Sequence, residues 1–457
     1  MGGCLSKSKP VEVKVELTLL EKEKEADVMS PNGKASPFSE CRPNGALGHC
    51  SDEDAAAAPL RLYKPRDYVE ASVCHVKDME NGQMREVDLG SGRALLIKEH
   101  GEFSAIGHKC PHYGAPLVKG VLSKGHVRCP WHGACFNIAT GDIEDFPGLD
   151  SLPTFQVRIE KDKVIIRANK QSQKRSKAMA RCSAVINSST GFSYILIVGS
   201  GPAGLVCAET LRQEGFTDRI VMCTMDKYPP YDRPKLSKPM NYKGQDVRNV
   251  FHLRTPEDAN SVARLANNKN AVIVGTSFVG MEVAAALTDK AHSVSIIGIE
   301  AVPFRKALGE KVGKAIMKLF ETNRVKFYML NEVSEMVGHH GQLKEVVLKS
   351  GKVLRADVCV IGTGRVAALG MMGRPTEIKT VPYFWSAMFG KSLRYAGYGE
   401  GFDDVVIQGD VDELKFVAFY TRSEEVVAVA SMNYDPIVSR VAEVLGSGKT
   451  IRKRDVE

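Results

Sequence analysis

An N-terminal all-β domain followed by α/β domains of the nucleotide-binding kind is what this sequence predicts, on three observations. Two loops, Cys110-Pro-His112 and Cys129-Pro-Trp-His132, each bring one thiol and one imidazole together. Two apolar strands, Tyr194–Val198 and Ala271–Val274, each run into a glycine turn and then a helical stretch. Ahead of them, short alternating segments separated by turn signals fill the region from Tyr68 to about Asn169.

The 457 residues are enough for about three domains of ordinary size. An apolar fraction of 43% with 25% charged residues describes a globular chain. The net charge of +8 is spread out, and its one dense run, Lys174-Arg175-Ser176-Lys177, reads as a solvated linker, so nucleic acid is not an expected partner. No apolar run is long enough to span a bilayer. The 11 cysteines are scattered with no secretory signal ahead of them, which favours a reducing compartment over a disulfide framework.

Residues 1–60 mix Glu/Lys runs, Pro, Gly, Ser and an Ala tract, and read as a disordered segment. The start, Met1-Gly2-Gly3-Cys4-Leu5-Ser6-Lys7, fits the N-myristoylation pattern on Gly2, with Cys4 placed for a second, palmitoyl chain and Lys7 and Lys9 for anionic lipid. Two such signals give stable attachment to a membrane surface and one gives only marginal binding; a chance match is the competing reading. The segment is not Arg-rich and turns acidic from Glu16 to Asp27, which makes it a poor matrix-targeting peptide.

Residues 61–169 form the β domain, with strands expected at Tyr68–Val73, Ala94–Lys98, Phe103–Ile106, Val127–Cys129, Phe155–Ile159 and Val164–Arg167 and turns at Asn81-Gly82 and Ser91-Gly92. Sixteen residues separate His112 from Cys129. Two thiolates for one iron and two imidazoles for the other are what a Rieske [2Fe–2S] cluster requires, so Cys110, His112, Cys129 and His132 are the candidate ligands. A tetrahedral Cys2His2 zinc site is the alternative, although zinc fingers usually pair Cys with Cys and His with His. The continuation His132-Gly133-Ala134-Cys135-Phe136, then Thr140-Gly141, resembles Rieske-type ferredoxins. Cys135 reads as a small buried residue, not a fifth ligand. Rieske proteins of respiratory complexes carry an extra Cys in each loop; Ala115 and Trp131 stand at the matching positions, which implies a potential in the lower part of the Rieske range.

Residues 170–192, rich in Lys, Ser and Gln, read as a linker. Strand Tyr194–Val198 then leads into Gly199-Ser-Gly201-Pro-Ala-Gly204, a helical run through Leu211, strand Ile220–Cys223 and Asp226. This is G-x-G-x-x-G in a βαβ setting with an acid at the second strand's end. The glycines permit the tight turn and a close backbone approach to a diphosphate, while the helix N-terminus supplies N–H groups. The second unit runs from Ala271 through Gly275-Thr-Ser277-Phe-Val-Gly280-Met-Glu282 to strand Ser293–Ile297. Ser277 replaces the middle glycine and crowds the diphosphate's approach, and the acid is displaced from Gly298 to Glu300, so nucleotide binding is less secure here.

Two tandem units of this kind resemble the pyridine-nucleotide-disulfide-reductase-like flavoproteins, which implies FAD in the first and NAD(P)H in the second. No redox C-x-x-C follows the first unit, which argues against the disulfide-reducing branch. Tyr231-Asp-Arg233-Pro-Lys-Leu-Ser-Lys238 instead resembles the ferredoxin-reductase and apoptosis-inducing-factor branch, in which Arg233 and Lys238 would lie against the flavin. With the Rieske domain in front, the whole chain resembles the apoptosis-inducing-factor-like proteins. Val381-Pro-Tyr-Phe-Trp385 onward is similar to that branch's closing α+β domain.

Two departures from the family stand out. Lys238 is followed within about a dozen residues by Val250–Asp258, and Gly362-Thr-Gly364 by Arg365-Val-Ala-Ala, where the family carries long FAD-domain segments and a second FAD motif. The domain layout expected is an incomplete FAD-binding domain at 193–255 and 352–380, an NAD(P)-binding domain at 256–351 and a closing reductase domain at 381–457. The implied function is an NAD(P)H-dependent oxidoreductase passing electrons through FAD to the cluster and on to a protein or small-molecule acceptor, linked by resemblance to apoptosis, with FAD weakly held or lost. The competing reading is a non-enzymatic, membrane-associated iron–sulfur interaction protein. The family implies a mitochondrial location; the lipidation pattern points to the cytoplasmic face of a membrane. Oligomeric state stays open.

Overall fold

A computed structural model describes residues 68–145, 147–148, 150–170, 177–178, 194–213, 215–224, 241–362 and 381–457. Gly2, Cys4, Asp226, Arg233 and Lys238 lie outside the described residues. Among those described, no helix is long and apolar enough to cross a membrane.

The first domain holds strands β1 (Tyr68–His75), β2 (Gln83–Asp88), β3 (Arg93–Glu99), β4 (Glu102–Gly107), β5 (Val121–Ser123), β6 (His126–Arg128), β7 (Cys135–Asn137), β8 (Ile143–Asp145), β9 (Asp150–Ser151), β10 (Thr154–Glu160) and β11 (Lys163–Asn169). They make a six-stranded sheet, β1-β11-β10-β4-β3-β2, and a four-stranded sheet, β5-β6-β7-β8. Strand β11 alternates as a half-covered strand should, burying Val164, Ile166 and Ala168. Strand β3 does not, because it is covered on both faces. Ala94 and Leu96 pack with Phe155 and Ile166, whereas Leu95 and Ile97 face Phe136 and the cluster-loop cysteines. The expected linker is partly attached: β12 (Lys177–Ala178) pairs antiparallel with β9.

The next unit is small. Strand β13 (Tyr194–Val198) crosses through helix α1 (Pro202–Gln213) to β14 (Arg219–Cys223), and among the described residues these two parallel strands form a sheet of their own. Ile197 is buried, but Leu196 and Val198, on the other face, are 53% and 84% exposed. Two strands are too few to cover both faces.

A five-stranded parallel sheet follows, in the order β15-β22-β16-β17-β18. Its strands and helices are β15 (Val250–His252), α2 (Pro256–Leu265), β16 (Asn270–Val274), α3 (Phe278–Leu287), β17 (Ser293–Ile297), α4 (Arg305–Thr322) and β18 (Val325–Tyr328). Helix α2 starts at a capping box, in which Thr255 Oγ1 accepts from the Asp258 N–H and Asp258 accepts from the Thr255 N–H. An antiparallel trio, β19 (Val333–His339), β20 (Gln342–Leu348) and β21 (Val353–Arg355), leads back to β22 (Val358–Ile361). This corrects the expected boundaries. Residues 250–252 and 358–361, placed by sequence in the FAD-binding domain, pair in parallel with each other and through β22 with β16. Buried on both faces, β22 carries Val358, Cys359, Val360 and Ile361 at 0% exposure, as a central strand of a covered parallel sheet does.

The closing domain is an antiparallel sheet, β23-β24-β27-β26-β25, of β23 (Tyr383–Met388), β24 (Lys391–Gly397), β25 (Asp404–Asp410), β26 (Lys415–Arg422) and β27 (Glu425–Met432), with helix α5 (Ile437–Gly446). On β26, Phe416, Ala418 and Tyr420 join the core of the parallel-sheet domain, and Val417 and Phe419 join a second core with α5. Phe278 stacks on Phe304 at 4.4 Å and meets Phe384 of β23 at 4.3 Å. Each large side chain buried there contributes about 2 kcal/mol, so these two domains behave as one platform.

Candidate metal centre and nucleotide turns

The two cluster loops are built alike. In each, the cysteine N–H donates to an alanine carbonyl five residues on, Cys110 to Ala115 at 2.9 Å and Cys129 to Ala134 at 2.7 Å. A glycine closes the turn back onto the cysteine carbonyl, Gly114 at 2.8 Å and Gly133 at 3.3 Å. Both glycines have φ of +76°, which L side chains rarely adopt. The turn aims backbone N–H groups at sulfur: those of His112 and Tyr113 at Cys110, and those of Trp131 and His132 at Cys129.

The four sequence-chosen ligands form two close pairs, one of imidazoles and one of thiols. His112 Nδ1 lies 3.0 Å from His132 Nδ1, and the Cys110 thiol hydrogen-bonds to Cys129. That contact and the N–H donors behind the sulfur hold the Cys129 thiol down at about 7, while the same contact and burial push Cys110 up. Two sulfurs on one side, two imidazole nitrogens on the other and N–H donors behind each sulfur fit a Rieske [2Fe–2S] cluster. Cys135 lies apart. Its Sγ, a ring nitrogen of His126 and a Glu144 oxygen come within 4.8 Å of one another. Burial raises the Cys135 thiol to about 12 against the lowering pull of Arg128.

The cluster loops sit on the closing domain. Trp385 lies 4.4 Å from His132 and 5.9 Å from His112 between ring centres. Ser439 Oγ donates to the Cys129 carbonyl at 3.1 Å and lies 3.1 Å from the Tyr383 hydroxyl. A Cβ on Gly133 would come within 2.8 Å of the Tyr383 ring, so this glycine is fixed by contact as well as by φ. Arg394 donates to the Trp131 carbonyl at 2.8 Å and pairs with Asp435 at 2.8 Å. Arg128 bridges the domains, holding the Gly133 carbonyl at 2.8 Å, Asp145 at 3.1 Å and Glu443 of α5. Beside Trp131, a cavity of about 630 Å³ opens on the seam, with Lys119 and Arg440 in its lining.

In the first nucleotide turn, a Cβ on Gly201 would meet nothing within 4 Å, whereas one on Gly204 would come within 2.1 Å of the Gly199 carbonyl. Gly199 itself has φ of +105°. Open space at Gly201 and close helix–strand packing at Gly204 fit a diphosphate on the turn. In the second turn, Gly280 packs on Gly275 and Gly362. Ser277 Oγ donates to the Gly362 carbonyl at 2.6 Å, so the side chain that crowds a diphosphate is drawn onto β22. This pair spans the point between β16 and β22 where strand order reverses, the usual crevice of such sheets. Glu282 accepts from Ser386 Oγ at 2.5 Å, and Glu300 lies 3.5 Å from Arg305 and 3.3 Å from Lys306.

Sequence reasoning missed the contributions of Arg128, Tyr383, Arg394, Ser439 and Glu443, and it gave Trp385 no role. Their partners across the seam lie hundreds of positions away, so no local pattern marks that role.

A Rieske domain joined to a pyridine nucleotide oxidoreductase and its closing domain is the class that fold and site define. Comparison with known families agrees: the Rieske [2Fe-2S] domain matches residues 70–156, pyridine nucleotide-disulphide oxidoreductase matches 237–379, and the reductase C-terminal domain matches 383–457. The chain is 52% identical to apoptosis-inducing factor 3 of Homo sapiens over 590 aligned positions, covering all of this chain and 97% of the relative. It belongs to the apoptosis-inducing factor 3 family and is an oxidoreductase by family. The 590 positions exceed the chain's 457 residues, so the relative carries internal stretches with no counterpart here. Rhodocoxin reductase of Rhodococcus erythropolis is 22% identical over 52% of the chain and 86% of its own length. The ferredoxin reductase for the CYP199A2 system from Rhodopseudomonas palustris shares the fold over 57% of this chain and 96% of its own, with a TM-score of 0.50 at 18% identity.

Proposed function

We propose that this chain passes electrons from NAD(P)H by way of FAD to a [2Fe–2S] cluster held by Cys110, His112, Cys129 and His132, and then to a one-electron acceptor. The observation that carries this reading is the seating of both cluster histidines against Trp385 of the closing domain, which brings the cluster loops onto the reductase body. When bound, FAD turns a hydride into single electrons and the cluster stores one at a time. The chain's own contribution is placement. Gly201 leaves room for a diphosphate, Ser277 and Gly362 shape the second crevice, and Trp385, Tyr383 and Ser439 seat the cluster loops on the closing domain. A role in apoptosis is proposed from the name of the human relative, and membrane attachment from the Gly2 and Cys4 pattern.

The two-stranded β13–β14 unit, with Val198 almost bare, favours a second reading: a non-enzymatic, membrane-associated iron–sulfur protein whose flavin site is degraded. One experiment separates them. The purified, reconstituted full chain is mixed anaerobically with NADH and then NADPH while its absorption spectrum is followed. Flavin bands that bleach before the cluster bands support the reductase; cluster bands that never bleach overturn it.

A further inference from the structure

We infer that Tyr113 is the exit through which the cluster reduces its partner, and that the partner is an acidic-surfaced protein carrying a one-electron centre. The inference rests on the cluster assignment proposed above. Tyr113 is the tip of the first cluster loop and is 67% exposed, unusual for an aromatic ring so close to the fold's chemistry. Its ring centre lies 4.3 Å from His112 and 5.5 Å from His132, nearly perpendicular to both. Trp385 touches the same two imidazoles. One aromatic therefore belongs to the reductase body and the other opens to solvent. The cysteine side offers no comparable opening, since Cys110 and Cys129 are buried and Ser439 covers the Cys129 carbonyl. An electron can enter and leave at the histidine pair with the domains still docked.

Charge selects the partner. From His108 to Arg128 the chain carries Lys109, Lys119, Lys124 and Arg128 and no acidic residue. Lys109, Lys119 and Lys124 are exposed, and Arg440 of α5 joins Lys119 around the seam cavity. Of the neighbouring acids, Asp145 and Glu443 contact Arg128, Asp435 contacts Arg394, and Glu144 lies against His126. The chain segment that carries Tyr113 thus has net positive charge, which steers an acidic protein toward an exposed aromatic anchor. The transfer moves one electron to the acceptor's oxidised centre; no bond forms or breaks and no proton changes place.

The test uses the full chain with its cluster reconstituted, as wild type, Tyr113→Phe and Tyr113→Ala. An acidic blue-copper protein serves as acceptor, a basic cytochrome c as the opposite-charge control and ferricyanide as the small-molecule control. Dithionite-reduced protein, freed of reductant, is mixed with each in a stopped-flow instrument, and the affinity between the two fully oxidised proteins is measured by calorimetry, where no electron moves. Tyr113→Ala is expected to lower both the affinity for and the rate to the blue-copper protein about tenfold, the loss of one aromatic anchor. Tyr113→Phe should stay near wild type, and the rate to ferricyanide and the cluster's electron paramagnetic resonance spectrum should not change. Rates to the blue-copper protein should fall with added salt. Wild-type affinity and rate in Tyr113→Ala, or faster transfer to cytochrome c that falls with salt, would overturn the inference while leaving the cluster assignment standing. A chain that assembles no Rieske spectrum overturns both.

Discussion

Trp385 leans on His132 with 4.4 Å between ring centres, so a residue of the closing domain forms part of the wall around a cluster ligand of the first domain. Aromatic contacts of this kind are worth about 0.5–1.5 kcal/mol beyond the area they bury. Trp385→Ala is therefore expected to speed amide exchange in the two cluster loops about threefold to tenfold. Trp385→Phe should give a smaller change, both read by mass-spectrometric hydrogen exchange.

Arg128 is the other tie across the seam. Its side chain and that of Glu443 are each 15% exposed, so removing one partner strands a charge away from water. Arg128→Met should destabilise the docked state by about 3–5 kcal/mol, seen as an early separate transition in calorimetry. Adding Glu443→Gln to Arg128→Met should recover part of that loss. Two transitions identical to wild type in the single variant would contradict a structural role for the bridge.

Flavin retention tests the small β13–β14 unit. With two strands and an uncovered apolar face, it presents only the first turn of a dinucleotide site among the described residues. Gel filtration is expected to strip FAD from the chain while the absorption of the cluster persists. Stoichiometric flavin after that step would show that the remaining segments complete the site.

Asp357 supplies a pH-dependent contact at the base of the parallel sheet. Burial works against its charge, but the Asn270 N–H at 3.0 Å and the Asn270 side-chain amide at 2.8 Å, with Lys269 and Arg355 nearby, hold its carboxyl below the usual range. The folded value lies below the unfolded one, so the stabilisation is present above about pH 4 and is lost as pH falls through the folded value. Asp357→Asn should cost about 1 kcal/mol at pH 7 after allowance for solvent screening. The gap from wild type should narrow as pH falls below the usual carboxylate range and close below the folded value, as urea melts at several pH values will show.

The parts of the molecule visible in its sequence are those governed by neighbours along the chain. Cys110, His112, Cys129 and His132 announce themselves because each loop carries its own turn glycine, and β13 and β16 because an apolar strand abuts a glycine turn. Strand β22 was assigned to the wrong domain because an apolar run of four residues says it is buried but not which sheet buries it. Arg128, Arg394 and Ser439 look like ordinary polar residues of a strand or helix, and only folding reveals what they hold.

Arg128 and Glu443 stand 315 positions apart, yet they fasten the first domain directly to the last. The chain is thereby closed into a ring by its outer domains, and a stretch between them that packs into neither, such as the β13–β14 unit, is a loop whose length the fastening does not sense. Loop-closure entropy changes only slowly with length, so stretches can be gained or dropped in the middle with little effect on the seat of the cluster. The β13–β14 stretch can therefore shorten or lengthen while the seat of the iron–sulfur half stays mechanically intact.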